Sequence, residues 1–219
     1  MRFPARGPEA PMYSETTFLE VLQPDRCPLC FLLQDYIHEH LRNLLEESVT
    51  DPISREALFR SRGFCRRHAW QAVGQGKGLG MAVIYASLLE KGLKELSSPP
   101  RFWKKGKPGA CPLCESERKK EHSQVQQFAL AWDQSEELRK KFGEKGVLCL
   151  PHLEKILGQK GDTHRKKSLR ETGEKALKGL LKEVHEFLEK QDYHRSHESF
   201  GKERDAWIRA VRMISGERE

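Results

Sequence analysis

The four residues Cys27-Pro28-Leu29-Cys30 recur letter for letter as Cys111-Pro112-Leu113-Cys114, 84 residues downstream. At the same offset Cys65-Arg66-Arg67-His68 is answered by Cys149-Leu150-Pro151-His152, and all six cysteines of the chain are then used. His38 pairs with His122 and Gly74-Gln75 with Gly158-Gln159, again without a gap. One such coincidence would carry little weight, but a common offset across every cysteine argues for internal duplication. The chain divides into a lead-in over 1–23, a first repeat over 24–107, a second over 108–191 and a C-terminal tail over 192–219.

Each repeat reads as helical. Leu33, Ile37, Leu41 and Leu44 recur at three- and four-residue steps, the signature of one apolar helix face. A helix begins at Phe64–Ala72 and is broken at Gly74, Gly76 and Gly78. Leu79, Val83, Ala86, Leu89 and Leu93 then mark the apolar face of a long helix ending before Ser97-Ser98-Pro99-Pro100. In the second repeat Val125, Phe128 and Trp132 mark the first helix, Leu148–Leu157 the middle one, and Ala176, Leu180, Val184 and Phe187 the last. Trp207, Ile208, Val211 and Ile214 predict a short amphipathic helix that packs back on the repeats. No alternating strand pattern occurs. The expected fold is all-α: two tandem pseudo-symmetric helical repeats, each pinned by a metal site, with a C-terminal helix. Residues 97–109 are the expected linker and residues 1–14 an unstructured arm.

Thiolate and imidazole are zinc ligands, and two of them separated by two residues reach one ion from a single turn. Pro28 and Pro112 preset such a turn, and a following helix turns its positive end toward the sulfurs, favouring thiolate. The expected ligands are Cys27, Cys30, Cys65 and His68, then Cys111, Cys114, Cys149 and His152. Pairing within each repeat is the economical arrangement, with a helical hairpin folding back across the intervening residues. Pairing across repeats, with both CPLC knuckles on one ion, is the alternative that spacing leaves open. His38 and His122 read first as partly exposed helix residues inherited through duplication, and otherwise as groups supporting the ligands or as alternative ligands. Zn²⁺, two per chain, is the expected cofactor; an iron–sulfur cluster, which usually takes four cysteines, is the alternative. A c-type haem would need histidine where Phe31 and Glu115 stand.

Apolar residues are 37% of the chain and charged residues 32%, a thin core for 219 residues that metal would help to hold. The net charge of +7 arises wholly after residue 100, where 27 Lys and Arg face 20 Asp and Glu. The runs Arg118-Lys119-Lys120, Arg139-Lys140-Lys141 and Arg165-Lys166-Lys167, with Arg101-Phe102-Trp103-Lys104-Lys105, are compatible with phosphate contacts, but interleaved acids read better as solvated helix faces. The segment MRFPARGPEAP has no continuous apolar stretch, so no secretory signal is expected. Nor does any stretch suit a bilayer span. A reducing cytoplasm is the expected compartment, which favours metal over disulfides. No P-loop, HExxH or nucleophile elbow occurs, and His185, His194 and His197 form no ligand set, so the balance leans away from an enzyme.

The doubled CPxC and CxxH pattern, together with the closing Glu203-Arg204-Asp205-Ala206-Trp207-Ile208-Arg209-Ala210 through Gly216, resembles an uncharacterised family of bacterial and archaeal proteins described as a domain of unknown function. The likeness covers nearly the whole chain after about residue 15. It implies a helical protein with metal-binding cysteines and brings no activity. On the residues alone, the expectation is a zinc-bound helical scaffold that meets a protein partner. The alternatives are an iron–sulfur or metal-handling redox protein and, third, a nucleic-acid binder using the basic second repeat.

Overall fold

A computed structural model describes residues 13–97, 109–195 and 197–217. Among them are ten α-helices, one 3₁₀ turn and no strand. The order is α1 (Glu15–Glu20), α2 (Pro28–Glu46), α3 (Pro52–Ser61), α4 (Arg66–Gly74), α5 (Gly78–Leu96), α6 (Pro112–Gln134), α7 (Glu136–Lys145), α8 (Leu150–Leu157), α9 (Thr163–Glu189) and α10 (Ala206–Ser215). The 3₁₀ turn, Lys202–Asp205, leads into α10. The duplication is written in the helix starts: 28 and 112, 52 and 136, 66 and 150 all differ by 84.

Caps rather than composition start several of these helices. Asp51 accepts from the Ser54 N–H at 2.8 Å, with Pro52 in the first helical position where its missing donor costs nothing. Its counterpart 84 residues on, Ser135, accepts from the Leu138 N–H at 2.9 Å. Helix α3 ends on Arg62 and Gly63, both at positive φ, and the Gly63 N–H reaches back to the Leu58 carbonyl at 2.7 Å.

The chain forms two compact units, which are not the sequence repeats: one is residues 33–120, the other 1–32 with 121–219. Unit boundaries fall inside α2 and α6. The 33–120 unit has an aliphatic core of Ile37, Leu41, Leu44, Leu45, Leu58, Ile84 and Leu113. The other is built on an aromatic cluster, with Phe18 edge-on to Phe128 at 5.2 Å and Trp132 edge-on to Phe142 at 5.3 Å. Leu29 and Leu113, the leucines of the two knuckles, are both fully buried.

Phe18 comes from the lead-in that the sequence left without structure. Ser14 caps α1, and the Tyr13 N–H donates to Gln127 Oε1 at 2.7 Å, so these two residues are anchored. The rest of the expected loose arm, 1–12, and the aromatic-basic stretch 101–105 lie outside the described residues.

Two helices turn the face opposite to the expected one inward. On α5, Leu79, Leu89 and Leu93 are exposed, whereas Gly80 and Ile84 are buried with Met81, Tyr85 and Leu88 beside them. Gly80 explains the reversal. A Cβ there would lie 2.2 Å from the Leu45 carbonyl oxygen, so α5 crosses α2 backbone to side-chain-free backbone. Hydropathy cannot flag a contact made by the absence of a side chain. Gly80→Val is therefore expected to destabilise the 33–120 unit by at least about 1–3 kcal/mol, read as a lowered denaturation midpoint. On α10, Ala206 and Met213 are buried while Trp207, Val211 and Ile214 face outward.

Candidate metal centres

Every cysteine and histidine of the duplicated pattern stands at a helix N-terminus. The carbonyls of Cys27, Cys65, Cys111 and Cys149 accept from the N–H four residues on, at 2.9–3.1 Å, which makes each the cap of its helix. Cys30, His68, Cys114 and His152 follow three residues later, within the first turn. Each CxxC or CxxH is thus a cap and a first-turn residue facing the same way, where unsatisfied N–H groups and the helix dipole favour negative sulfur.

The structure gathers the eight side chains into two groups whose ligand atoms lie within 4.8 Å of one another: Cys27, Cys30, Cys149 and His152, and Cys65, His68, Cys111 and Cys114. This corrects the expected pairing. Each knuckle meets the CxxH of the other repeat, so neither within-repeat pairing nor two knuckles on one ion is realised. Helix lengths supply the reason. From Pro28 in the first knuckle α2 spans 19 residues and α3 only 10, about 28 Å against about 15 Å at 1.5 Å per residue. Arms so unequal do not make the closed hairpin that within-repeat pairing assumes. Cys111 instead meets α4, and close by the Gly109 N–H donates to the Arg60 carbonyl near the end of α3 at 3.2 Å.

A tetrahedral ion with bonds of about 2.3 Å to sulfur and about 2.0 Å to nitrogen needs edges of about 3.8 Å between sulfurs and about 3.5 Å from sulfur to nitrogen. In the first centre Cys30 Sγ lies 3.6 Å from Cys149 Sγ, and His152 Nδ1 lies 3.4, 3.4 and 3.2 Å from Cys27, Cys30 and Cys149. In the second, Cys114 Sγ lies 3.6 Å from Cys65 Sγ, and His68 Nδ1 lies 3.4, 3.5 and 3.4 Å from Cys65, Cys111 and Cys114. In each group these four of the six edges match the size one ion requires, and the other two are no longer than 4.8 Å.

Their electrostatics point the same way. Hydrogen bonds from the neighbouring thiols Cys27 and Cys30 hold Cys149 down to about 4, helped by backbone N–H groups of α8. Burial pushes Cys27 well up. In the second centre burial raises Cys114 to about 12, whereas Cys65, against its own burial, is drawn down by the His68 and Arg67 N–H groups and by its cysteine neighbours. Protons and thiolates therefore share each group unequally, and a cation is the natural means of holding three thiolates together.

The groups supporting the histidines are carboxylates that the sequence reading missed. His152 Nε2 lies 3.2 Å from Glu121 Oε1, and His68 Nε2 lies 3.6 Å from Glu117 Oε2. A carboxylate on that side favours the ring orientation in which Nδ1 faces the sulfurs, by charge rather than by an aligned hydrogen bond, since His152 Nε2 makes none and Glu117 stands beyond hydrogen-bond distance. Glu121 is held down to about 2, first by His152 and also by Lys155. Glu117 also pairs with Arg67. Repeat logic hides both residues, because 84 positions earlier stand Leu33 and Ile37. His38 and His122 are not brought to either centre: both are exposed, the first against Gln75 and the second against Gln126. Glu121→Gln is expected to weaken metal binding at the first centre about 10- to 100-fold, measured by competition with a chromophoric chelator, and Glu117→Gln to do the same at the second.

The basic runs are partly spent inside the fold. Arg165 is buried against Asp133 and the Lys160 carbonyl, Lys120 lies over the Tyr36 ring at 5.1 Å, and Arg139 caps the carbonyls of Trp132 and Asp133. Among the described residues no helix is long and apolar enough to cross a membrane.

Helices paired by their N-termini around two Cys₃His groups define the chain as an all-α protein with two sites able to hold metal ions. It belongs to the DUF6062 family, a family of unknown function whose model matches residues 20–108 and again 98–219, as a duplicated chain should. It is 28% identical over 201 residues to an uncharacterised 23.9 kDa protein in the xynA 3′ region of Caldicellulosiruptor sp. strain Rt8B.4, covering 90% of this chain and 98% of that protein. No solved structure matches it.

Proposed function

We propose that this protein is a zinc-bound helical scaffold in the reducing cytoplasm, with one structural Zn²⁺ in each Cys₃His group and a surface that meets a protein partner. The observation that carries the reading is the size of the two tetrahedra. Sulfur-to-sulfur distances of 3.6 Å suit a single ion and are too short for ligands spaced around an iron–sulfur core. Four protein ligands leave no open position for substrate, which favours a structural role over a catalytic one. Basic side chains turned inward from three runs weigh against a phosphate-binding face.

Partner binding draws support from α10. Trp207, Val211 and Ile214 are 54%, 59% and 58% exposed and form one stripe, an arrangement that packing within the chain does not require. Trp207→Ser and Val211→Ser are expected to leave metal content unchanged and to shift stability by no more than about 0.5 kcal/mol by denaturant titration. The deciding experiment for the scaffold is elemental analysis of protein prepared anaerobically, with its visible spectrum. Two zinc ions per chain and no colour support the reading. Iron with thiolate absorption, or less than one metal ion in a folded chain, would overturn it.

A further inference from the structure

The two centres differ in how they are sealed. In the first, all four ligands are buried. The end of the described chain closes over it: Gly216 has φ +78°, and a Cβ there would lie 3.7 Å from Cys30 Sγ and 3.8 Å from Cys149 Sγ. The Glu217 N–H donates to Cys30 Sγ at 3.4 Å, and its carboxylate is held by Arg26 at 2.9 Å and Arg212 at 3.4 Å. In the second centre Cys65 and Cys114 are partly exposed, with their sulfurs 3.6 Å apart, while Cys111 and His68 lie beneath. The two partly exposed cysteines are therefore also neighbours.

We infer that Cys65 and Cys114 form a peroxide-reactive pair, the second centre being an oxidisable metal–thiolate site and the first a permanent one. The inference rests on the metal-bound reading above. One thiolate attacks a peroxide oxygen, the O–O bond breaks, and a sulfenic acid and one hydroxide result. The second thiolate displaces hydroxide from that sulfenic acid and closes the S–S bond. Two thiolates and one H₂O₂ thus give one disulfide and two hydroxides, with two electrons passing from sulfur to oxygen. The ion, left with Cys111 and His68, departs. The Arg67 guanidinium, paired with Glu117, is close enough to Cys65 and Cys114 for their charges to interact.

The test uses the full zinc-loaded chain, hydrogen peroxide, a zinc-sensing dye and peptide mapping after differential alkylation. The expected result is one zinc released at least about tenfold faster than the other, as solvent access to the thiolates differs. The fast phase should coincide with a Cys65–Cys114 disulfide, while Cys27, Cys30 and Cys149 remain alkylatable after denaturation. Reductant and zinc should restore the starting state. Gly216→Val, strained by the positive φ of +78° that the first centre's cover requires, should bring the slow release closer to the fast one. Equal release rates in the unaltered chain, first oxidation at Cys27, Cys30 or Cys149, or fast release without that disulfide would each overturn the inference while leaving two structural ions in place. A chain that holds no metal as prepared would overturn the scaffold reading as well.

Discussion

Cys30→Ser combined with His152→Ala is expected to remove one metal ion of two, whereas Cys30→Ser combined with His68→Ala is expected to remove both. The first pair strikes one centre twice and the second strikes each centre once, because each knuckle shares its group with the CxxH of the other repeat. Within-repeat pairing predicts the reverse outcome for the same two variants, so metal content per chain decides the pairing without further structural work. The consequences for folding are large. Structural zinc contributes apparent binding free energies of about 10–16 kcal/mol in small zinc-dependent folds, comparable to or above the roughly 5–15 kcal/mol net stability of a domain. The Cys30/His152 variant should retain the helicity of residues 33–120, and the Cys30/His68 variant should lose that part of the far-ultraviolet circular dichroism.

The eight residues brought together were legible because a ligand pattern is local: two residues apart on one turn, repeated at a fixed offset. Their partnering was not legible, since it depends on how far α2 and α3 run, and α3 itself is signalled weakly. Helix α3 buries only Leu58 fully, and α7 only Leu138 and Phe142. Both are specified at their ends, by Asp51-Pro52 and by Ser135-Glu136-Glu137, rather than by a long apolar period. Long helices with a side-chain-filled face, such as α6 with Val125, Phe128 and Trp132, were read correctly. The face of α5 was misread at Gly80, where the contact is backbone, and that of α10 at Trp207, where an apolar stripe looks outward. Glu117 and Glu121 escaped because duplication was the guide and they are not duplicated.

Chelation under reducing conditions is expected to unfold residues 33–120 more completely than the remainder of the chain. Cys111 and Leu113 are themselves part of the 33–120 core, delivered by a knuckle whose ties to α3 and α4 include the Gly109–Arg60 backbone bond, the contacts of Glu117 with Arg67 and His68, and the Cys₃His group. Withdrawing an ion there leaves three sulfurs crowded within 4.8 Å with no cation between them and withdraws two members from an aliphatic core. In the other unit the core that holds Cys27, Leu29, Cys30 and Cys149 extends through Phe18 to an aromatic cluster of Phe128, Trp132 and Phe142, packing for which the 33–120 core has no counterpart. Aromatic pairs of that kind add about 0.5–1.5 kcal/mol each beyond the area they bury. Hydrogen exchange after zinc removal should therefore show protection lost across α3, α4 and α5 but retained from Gln124 to Trp132 in α6. Equal loss throughout would mean that the aromatic cluster also depends on the metal, and unchanged protection everywhere would mean that neither unit does.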